Sequence, residues 1–148
     1  MVNCSNKRYQ RALTTLRQDK LRVTQARKTL LQALVKAQRP ISAEELYRSM
    51  APGTFDLVTV YRNLETFERA GIAQKVMTES GKGLYELIEA NHHYHHILCR
   101  KCHRAERLED CELTHFETLA GALGYSDISH VLELYGLCMD CREGKAVN

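Results

Sequence analysis

No stretch of the chain approaches the ~18 uninterrupted apolar residues that a membrane-crossing helix needs. The opening MVNCSNKRYQRALTTLRQDK is polar where a secretory leader would be apolar. A cytoplasmic protein with no membrane association is expected. The HExxH motif of zinc proteases, the GxSxG motif of serine hydrolases and the phosphate-cradling P-loop are all absent. A hydrolytic zinc enzyme would need three fixed ligands, an open position and a general base beside the bound water. With no such constellation in the sequence, neither an enzyme nor a binder of small organic substrates is expected. Internal repeats and low-complexity segments are also missing, so solenoids and disordered tails are set aside.

What remains is a chain of 148 residues, enough for one ordinary domain or two small ones. Its six cysteines come without a secretory context, which makes a disulfide framework a poor reading and metal binding a better one. The formal charge of +3 hides an asymmetry. Residues 1–90 carry 15 Lys and Arg against 9 Asp and Glu, whereas residues 91–148 carry 6 against 9. An acidic polymer would bind the first part and avoid the second.

The first part reads as helices followed by a hairpin. Tyr9, Leu13 and Leu16 recur at helical spacing over residues 5–18, and Ala26, Leu30, Leu31, Leu34 and Val35 do so over 24–37. Pro40 stops the second run, and Ser42 with Glu45 three residues on forms a capping box for a third helix, SAEELYRSM. Asp56 is placed to cap a fourth helix with a core stripe of Leu57, Val60, Leu64 and Phe67, which Gly71 ends. The strand-like runs IAQKVM and GLYELI flank the turn TESGKG. Three or four helices and a hairpin outline a winged helix. The second part runs from a strand, HHYHHILC, through CHRAERLE and a helix, CELTHFETLAGALG, to a closing strand, ISHVLELYGLC, making a small α/β unit. The boundary is expected at 89–91.

Chemistry concentrates in three places. Cys99-Arg-Lys-Cys102 and Cys138-Met-Asp-Cys141 are two CxxC knuckles separated by 35 residues. Four thiolates fill the tetrahedral shell of a zinc ion and leave no position for water, so this site is read as structural. His92-His93-Tyr94-His95-His96 holds four of the seven histidines. On a strand, His93 and His95 share one face and offer two imidazoles to a metal, with Glu86, Glu112, His115 and His130 available to complete a nitrogen and oxygen site. The fourth helix, finally, keeps Thr59, Tyr61, Arg62 and Asn63 largely off its core stripe. A second helix after a short turn is the element that a helix-turn-helix lays in the major groove, where Tyr and Arg can contact phosphates and Tyr or Thr can pack on thymine methyls.

The segments RVTQAR, ISAEELY, TVYRNLETFERAGI, LYELIEANHHYHHILCRKC and HVLELYGLCMDC arrive in an order that resembles the ferric uptake regulator family, from about Arg22 to Cys141. The resemblance implies an α+β protein with a winged helix-turn-helix domain over 1–89 and an α/β dimerisation and metal-binding domain over 90–148. It implies a homodimeric, metal-dependent repressor of metal homeostasis on palindromic, often A·T-rich, double-stranded operators. By position, Cys99, Cys102, Cys138 and Cys141 match the structural zinc ligands. Tyr61 and Arg62 match recognition-helix contacts, with Thr59 beside them, and Arg22 and Arg27 match supporting backbone contacts. His93, His95 and His130 match three ligands of a regulatory site for Fe2+ or Zn2+, with Mn2+ or Ni2+ as further candidates. Glu112 is the choice for its acidic ligand, with Glu109 and His115 behind it. A second regulatory site keeps Glu86 and His96, but Pro40 and Tyr94 stand where many members have histidine. A zinc-responsive member would usually carry a wing cysteine, and there is none between Cys4 and Cys99. The alternative expectation is a peroxide-sensing or redox-sensing regulator of the same family.

Overall fold

The computed structural model describes residues 4–88, 95–108, 113–128 and 130–145, with side chains described from residue 6 onward. The chain divides into two compact units, 1–92 and 93–148.

In the first unit, α1 (Cys4–Gln18), α2 (Gln25–Ala37), α3 (Ala43–Arg48) and α4 (Leu57–Arg69) precede a hairpin of β2 (Ala73–Met77) and β3 (Gly83–Leu87). Local chemistry sets the helix starts. Thr24, Ser42 and Asp56 are extended at the N-caps of α2, α3 and α4, and their side-chain oxygens accept from the backbone N–H of Arg27, Glu45 and Thr59. The expected capping box is half made, because the Glu45 carboxylate engages Arg39 instead. Gln38 closes α2 in the left-handed conformation and Gly71 follows α4 at φ +64.

Each helix contributes a stripe to one core. Leu16, Leu30, Leu31, Leu46, Val60, Leu64 and Phe67 are fully buried, and Tyr85 and Leu87 of β3 belong to the same core. Leu57, expected on the α4 stripe, is only partly buried at its edge. A two-residue strand, β1 (Ile41–Ser42), was not anticipated; it pairs antiparallel with β3, Ile41 opposite Tyr85, giving the order β1-β3-β2. The hairpin turn is stitched by Thr78, whose N–H donates to the Lys82 carbonyl and whose Oγ1 accepts from the Lys82 N–H, both at 2.8 Å. This is a helix-turn-helix with a β-wing.

The second unit contains β4 (His95–Cys99), β5 (Ala105–Leu108), α5 (Thr114–Ala122), β6 (Glu133–Gly136) and the short α6 (Met139–Arg142). β4 lies centrally, antiparallel to β5 and parallel to β6. A parallel neighbour requires a crossover, which α5 supplies. The closing strand is shorter than the sequence pattern led us to expect, so His130 falls in the loop before β6 rather than at its start.

Candidate metal centres and nucleic-acid interface

The two CxxC knuckles converge. Cys99 ends β4 and Cys102 lies in the β4–β5 turn, while Cys138 caps α6 and Cys141 lies within it. The four sulfurs all lie within 4.8 Å of one another. Four thiolates at the usual zinc–sulfur distance stand about 3.8 Å apart on the edges of a tetrahedron, and the Sγ atoms of Cys102 and Cys138 are 3.8 Å apart. The cluster therefore fits a zinc ion. Its electrostatics point the same way. Burial alone would raise the Cys99 thiol, but the backbone N–H groups of Cys102, Cys138 and Lys101 outweigh it and bring the group to about 5. Cys141 is pushed up to about 12 by burial and by hydrogen bonds with the other thiols. Ionising all four together needs a compensating cation. Around the cluster, Arg104 donates to Asp140 at 3.2 Å and pairs with Glu106 at 3.2 Å, tying the turn of the first knuckle to the helix of the second. Sequence reasoning passed over this bracket, since 36 residues separate its ends.

A second cluster joins β4, α5 and the loop before β6. The Nε2 atoms of His95 and His130 approach to 3.3 Å, and His130 Nδ1 lies 3.1 Å from Glu117 Oε1. Two imidazoles bound to one tetrahedral ion at about 2.0–2.1 Å would have nitrogens about 3.3 Å apart. A carboxylate can only accept, so Glu117 keeps the proton on Nδ1 and leaves the Nε2 lone pair of His130 turned toward His95. The expected ligands His93 and Glu112, and the reserve Glu109, lie outside the described residues. His115 is exposed and packs edge-on against Phe116. Glu117 was not anticipated: it stands 13 residues from His130 in the sequence, and only the fold brings the two together.

Glu86 and His96 are both about 2% exposed, in different units. Glu86 accepts from Gln74 Nε2 at 2.6 Å across the β2–β3 pair. Burying a carboxylate is costly unless it is hydrogen-bonded, and Gln74 supplies such a bond.

On α4, Val60, Leu64 and Phe67 face the core while Tyr61 and Arg62 face solvent and Thr59 is half-buried. Arg22 is exposed. Arg27 is a bracket: its Nε donates to Asn63 Oδ1 at 3.2 Å and its Nη1 to the Arg22 carbonyl at 2.6 Å, and Asn63 Nδ2 in turn donates to the Thr59 carbonyl at 2.7 Å. The Tyr61 hydroxyl donates to Glu44 Oε1 of α3 at 2.6 Å. That bond, ahead of burial, pushes the phenol up to about 12. The same bond, with the Glu44 backbone N–H, Ser42 and Lys82 acting against burial, lowers the carboxyl to about 2.

The sequence profile described as the ferric uptake regulator family matches residues 18–135. The chain belongs to the ferric uptake regulator family. A ferric uptake regulation protein of Neisseria gonorrhoeae is 35% identical over 134 residues, spanning 88% of this chain and 92% of its own. The crystal structure of the Vibrio cholerae ferric uptake regulator superposes with a TM-score of 0.73 at 32% identity, over 84% of this chain and 98% of that one. A zinc uptake regulator solved in complex with zinc and DNA gives a TM-score of 0.67 at 26% identity, over 96% and 97%. The ferric uptake regulator family comprises metal-responsive transcriptional regulators, and this chain is one of them.

Proposed function

We propose that this ferric uptake regulator family protein is a cytoplasmic, dimeric repressor without enzymatic activity that lays α4 in the major groove of palindromic operator DNA when a divalent metal is bound. The observation that carries the reading is the two-sided character of α4. Its apolar stripe is locked into the core while Tyr61 and Arg62 project from a basic unit, on the second helix of a helix-turn-helix. Thr59 lies at the same end of the helix. Arg22 meets backbone phosphate, and Arg27 contributes by holding Asn63 and the Arg22 loop in place. The zinc uptake regulator bound to zinc and DNA supports DNA as the partner.

Cys99, Cys102, Cys138 and Cys141 hold structural zinc, which supplies folding energy rather than chemistry. His95 and His130, joined by His93 and Glu112, hold the regulatory ion, Fe2+ or Zn2+ first and Mn2+ or Ni2+ next. There the ion supplies a crosslink between β4 and the loop before β6, with Glu117 fixing the His130 ring from outside. Glu86 and His96 remain candidates for a second regulatory site. Dimerisation is supported by exposed apolar side chains in the second unit: Leu123 is 78% and Val131 90% exposed, and Phe116, Tyr125, Leu137 and Met139 are exposed as well. Such side chains are what a second copy would cover.

The test is duplex binding by purified protein with its structural zinc verified, titrated with zinc, iron(II), manganese and nickel. Metal-dependent, sequence-selective binding is expected, and a His95→Ala/His130→Ala variant should lose the metal response while keeping zinc. Metal-independent binding, or an unchanged response in that variant, overturns the regulatory assignment.

A further inference from the structure

The hydroxyl of Tyr61 is already spoken for before DNA arrives. It donates its one proton to Glu44 Oε1 at 2.6 Å, and the other carboxylate oxygen of Glu44 lies 3.7 Å from Lys82 Nζ at the tip of the wing. Three elements, α3, α4 and the β2–β3 turn, thus meet at one carboxylate. A phenol that is donating keeps only acceptor capacity. A phosphate oxygen offers no proton to accept, and approaching the hydroxyl would also bring it against the Glu44 anion. In the major groove, acceptors are answered by the N6 amine of adenine and the N4 amine of cytosine. Tyr61 is 37% exposed, so the side chain is open to a ligand while its hydroxyl stays tethered to Glu44.

We infer that Glu44 is a specificity-determining positioning residue: its carboxylate orients the Tyr61 hydroxyl as an acceptor for an exocyclic base amine and keeps that hydroxyl, together with Lys82, from serving as a sequence-blind phosphate contact. The inference rests on the reading of α4 as the DNA-recognition helix. It turns the general expectation that Tyr61 can contact phosphate into a narrower one, in which the residue reads bases. It also gives a purpose to an acidic side chain standing on the face where the unit would meet a polyanion, a position where charge alone would disfavour it.

The experiment starts by selecting a preferred duplex from a random-sequence DNA library with the full-length, metal-loaded protein. Affinity for that duplex, for each single base-pair change in it and for a scrambled duplex is then measured from about 50 to 200 mM salt for Tyr61→Phe, Glu44→Ala and Glu44→Gln. Tyr61→Phe should cost roughly 2- to 10-fold at the base pair it reads, flatten the preference there and leave the salt slope unchanged. Glu44→Ala should flatten the same base pair and bind scrambled duplex more tightly, with a slope steeper by about 0.9 for each additional phosphate neutralised. Glu44→Gln retains an acceptor for the hydroxyl and should restore the base preference while still binding scrambled DNA more tightly than the parent. A Tyr61→Phe loss of affinity of equal size on the selected, base-changed and scrambled duplexes, with base preferences intact, places the hydroxyl on phosphate and overturns the inference. So does Glu44→Ala with an unaltered preference, or Tyr61→Phe with no effect at all. If the unaltered protein selects no duplex, the reading of α4 itself fails, which is a separate result from any of these.

Discussion

Glu44 shows how much a single side chain can carry at the junction of three elements. Its carboxyl lies near 2 in the folded chain against an ordinary value of 4.5, with the Tyr61 hydrogen bond as the largest cause. A group whose folded value is depressed stabilises the fold fully above the unfolded value and loses that contribution as pH falls toward the folded one. The window here runs from about 4.5 down to about 2. Glu44→Gln should therefore be less acid-sensitive than the parent within that window and indistinguishable in pH dependence above it. Urea midpoints at pH 6 and pH 3 test this, and an equal drop in both proteins would show that the Tyr61 bond does not hold the ionised form. Nothing in the sequence pointed to the pair, since Glu44 and Tyr61 stand 17 residues apart and meet only because α3 packs on α4.

At the scale of elements, the long amphipathic helices were legible because their information is local. Apolar residues at helical spacing and the capping oxygens of Ser42 and Asp56 lie within a turn of the structure they specify, whereas Thr24, read as part of the second helical run, is the cap of α2. The wing hairpin was legible for the same reason. β1 was not, because a two-residue strand has no period and exists only where Ile41 and Ser42 find β3. His130 was read as strand because it lies in the apolar run ISHVLELYGLC, yet only Glu133–Gly136 pair with β4. Both CxxC knuckles were legible as ligands from their spacing, whereas the Arg104–Asp140 bracket and Glu117 belong to tertiary contacts that no short window contains. Arg27 falls between these cases: an arginine in α2 was expected to matter for DNA, but its forked contacts to Asn63 and the Arg22 carbonyl tie α4 to α2. Arg27→Ala should thus destabilise the fold by roughly 0.5–1.5 kcal/mol through the hydrogen bonds it loses, besides weakening DNA binding. An unshifted denaturation midpoint beside weakened binding would return Arg27 to a purely DNA-contacting role.

Taken whole, the molecule is unevenly provided with apolar interior. The first unit has a continuous core from α1 to β3, built on residues such as Leu16, Leu30, Leu64 and Phe67 that are fully buried. Among the described residues of the second unit, the buried apolar set is Leu98, Cys99, Ala105 and Cys141, and half of these are sulfurs of the metal cluster. A unit of this size without a substantial core requires a metal or a partner to hold it together. Removing zinc should therefore unfold the second unit and leave the first standing. Cys99→Ser and Cys138→Ser should each lose the tightly bound zinc and the dimer, because binding free energy at such a site is folding free energy. Amide exchange should then become fast across 95–108 and 130–145 while α2 and α4 stay protected. Zinc analysis, sedimentation and residue-resolved exchange measure these together. A variant that keeps one zinc per chain and remains dimeric, or one in which the two units lose protection together, would show that the metal cluster does not organise the second unit in the way its sparse core demands.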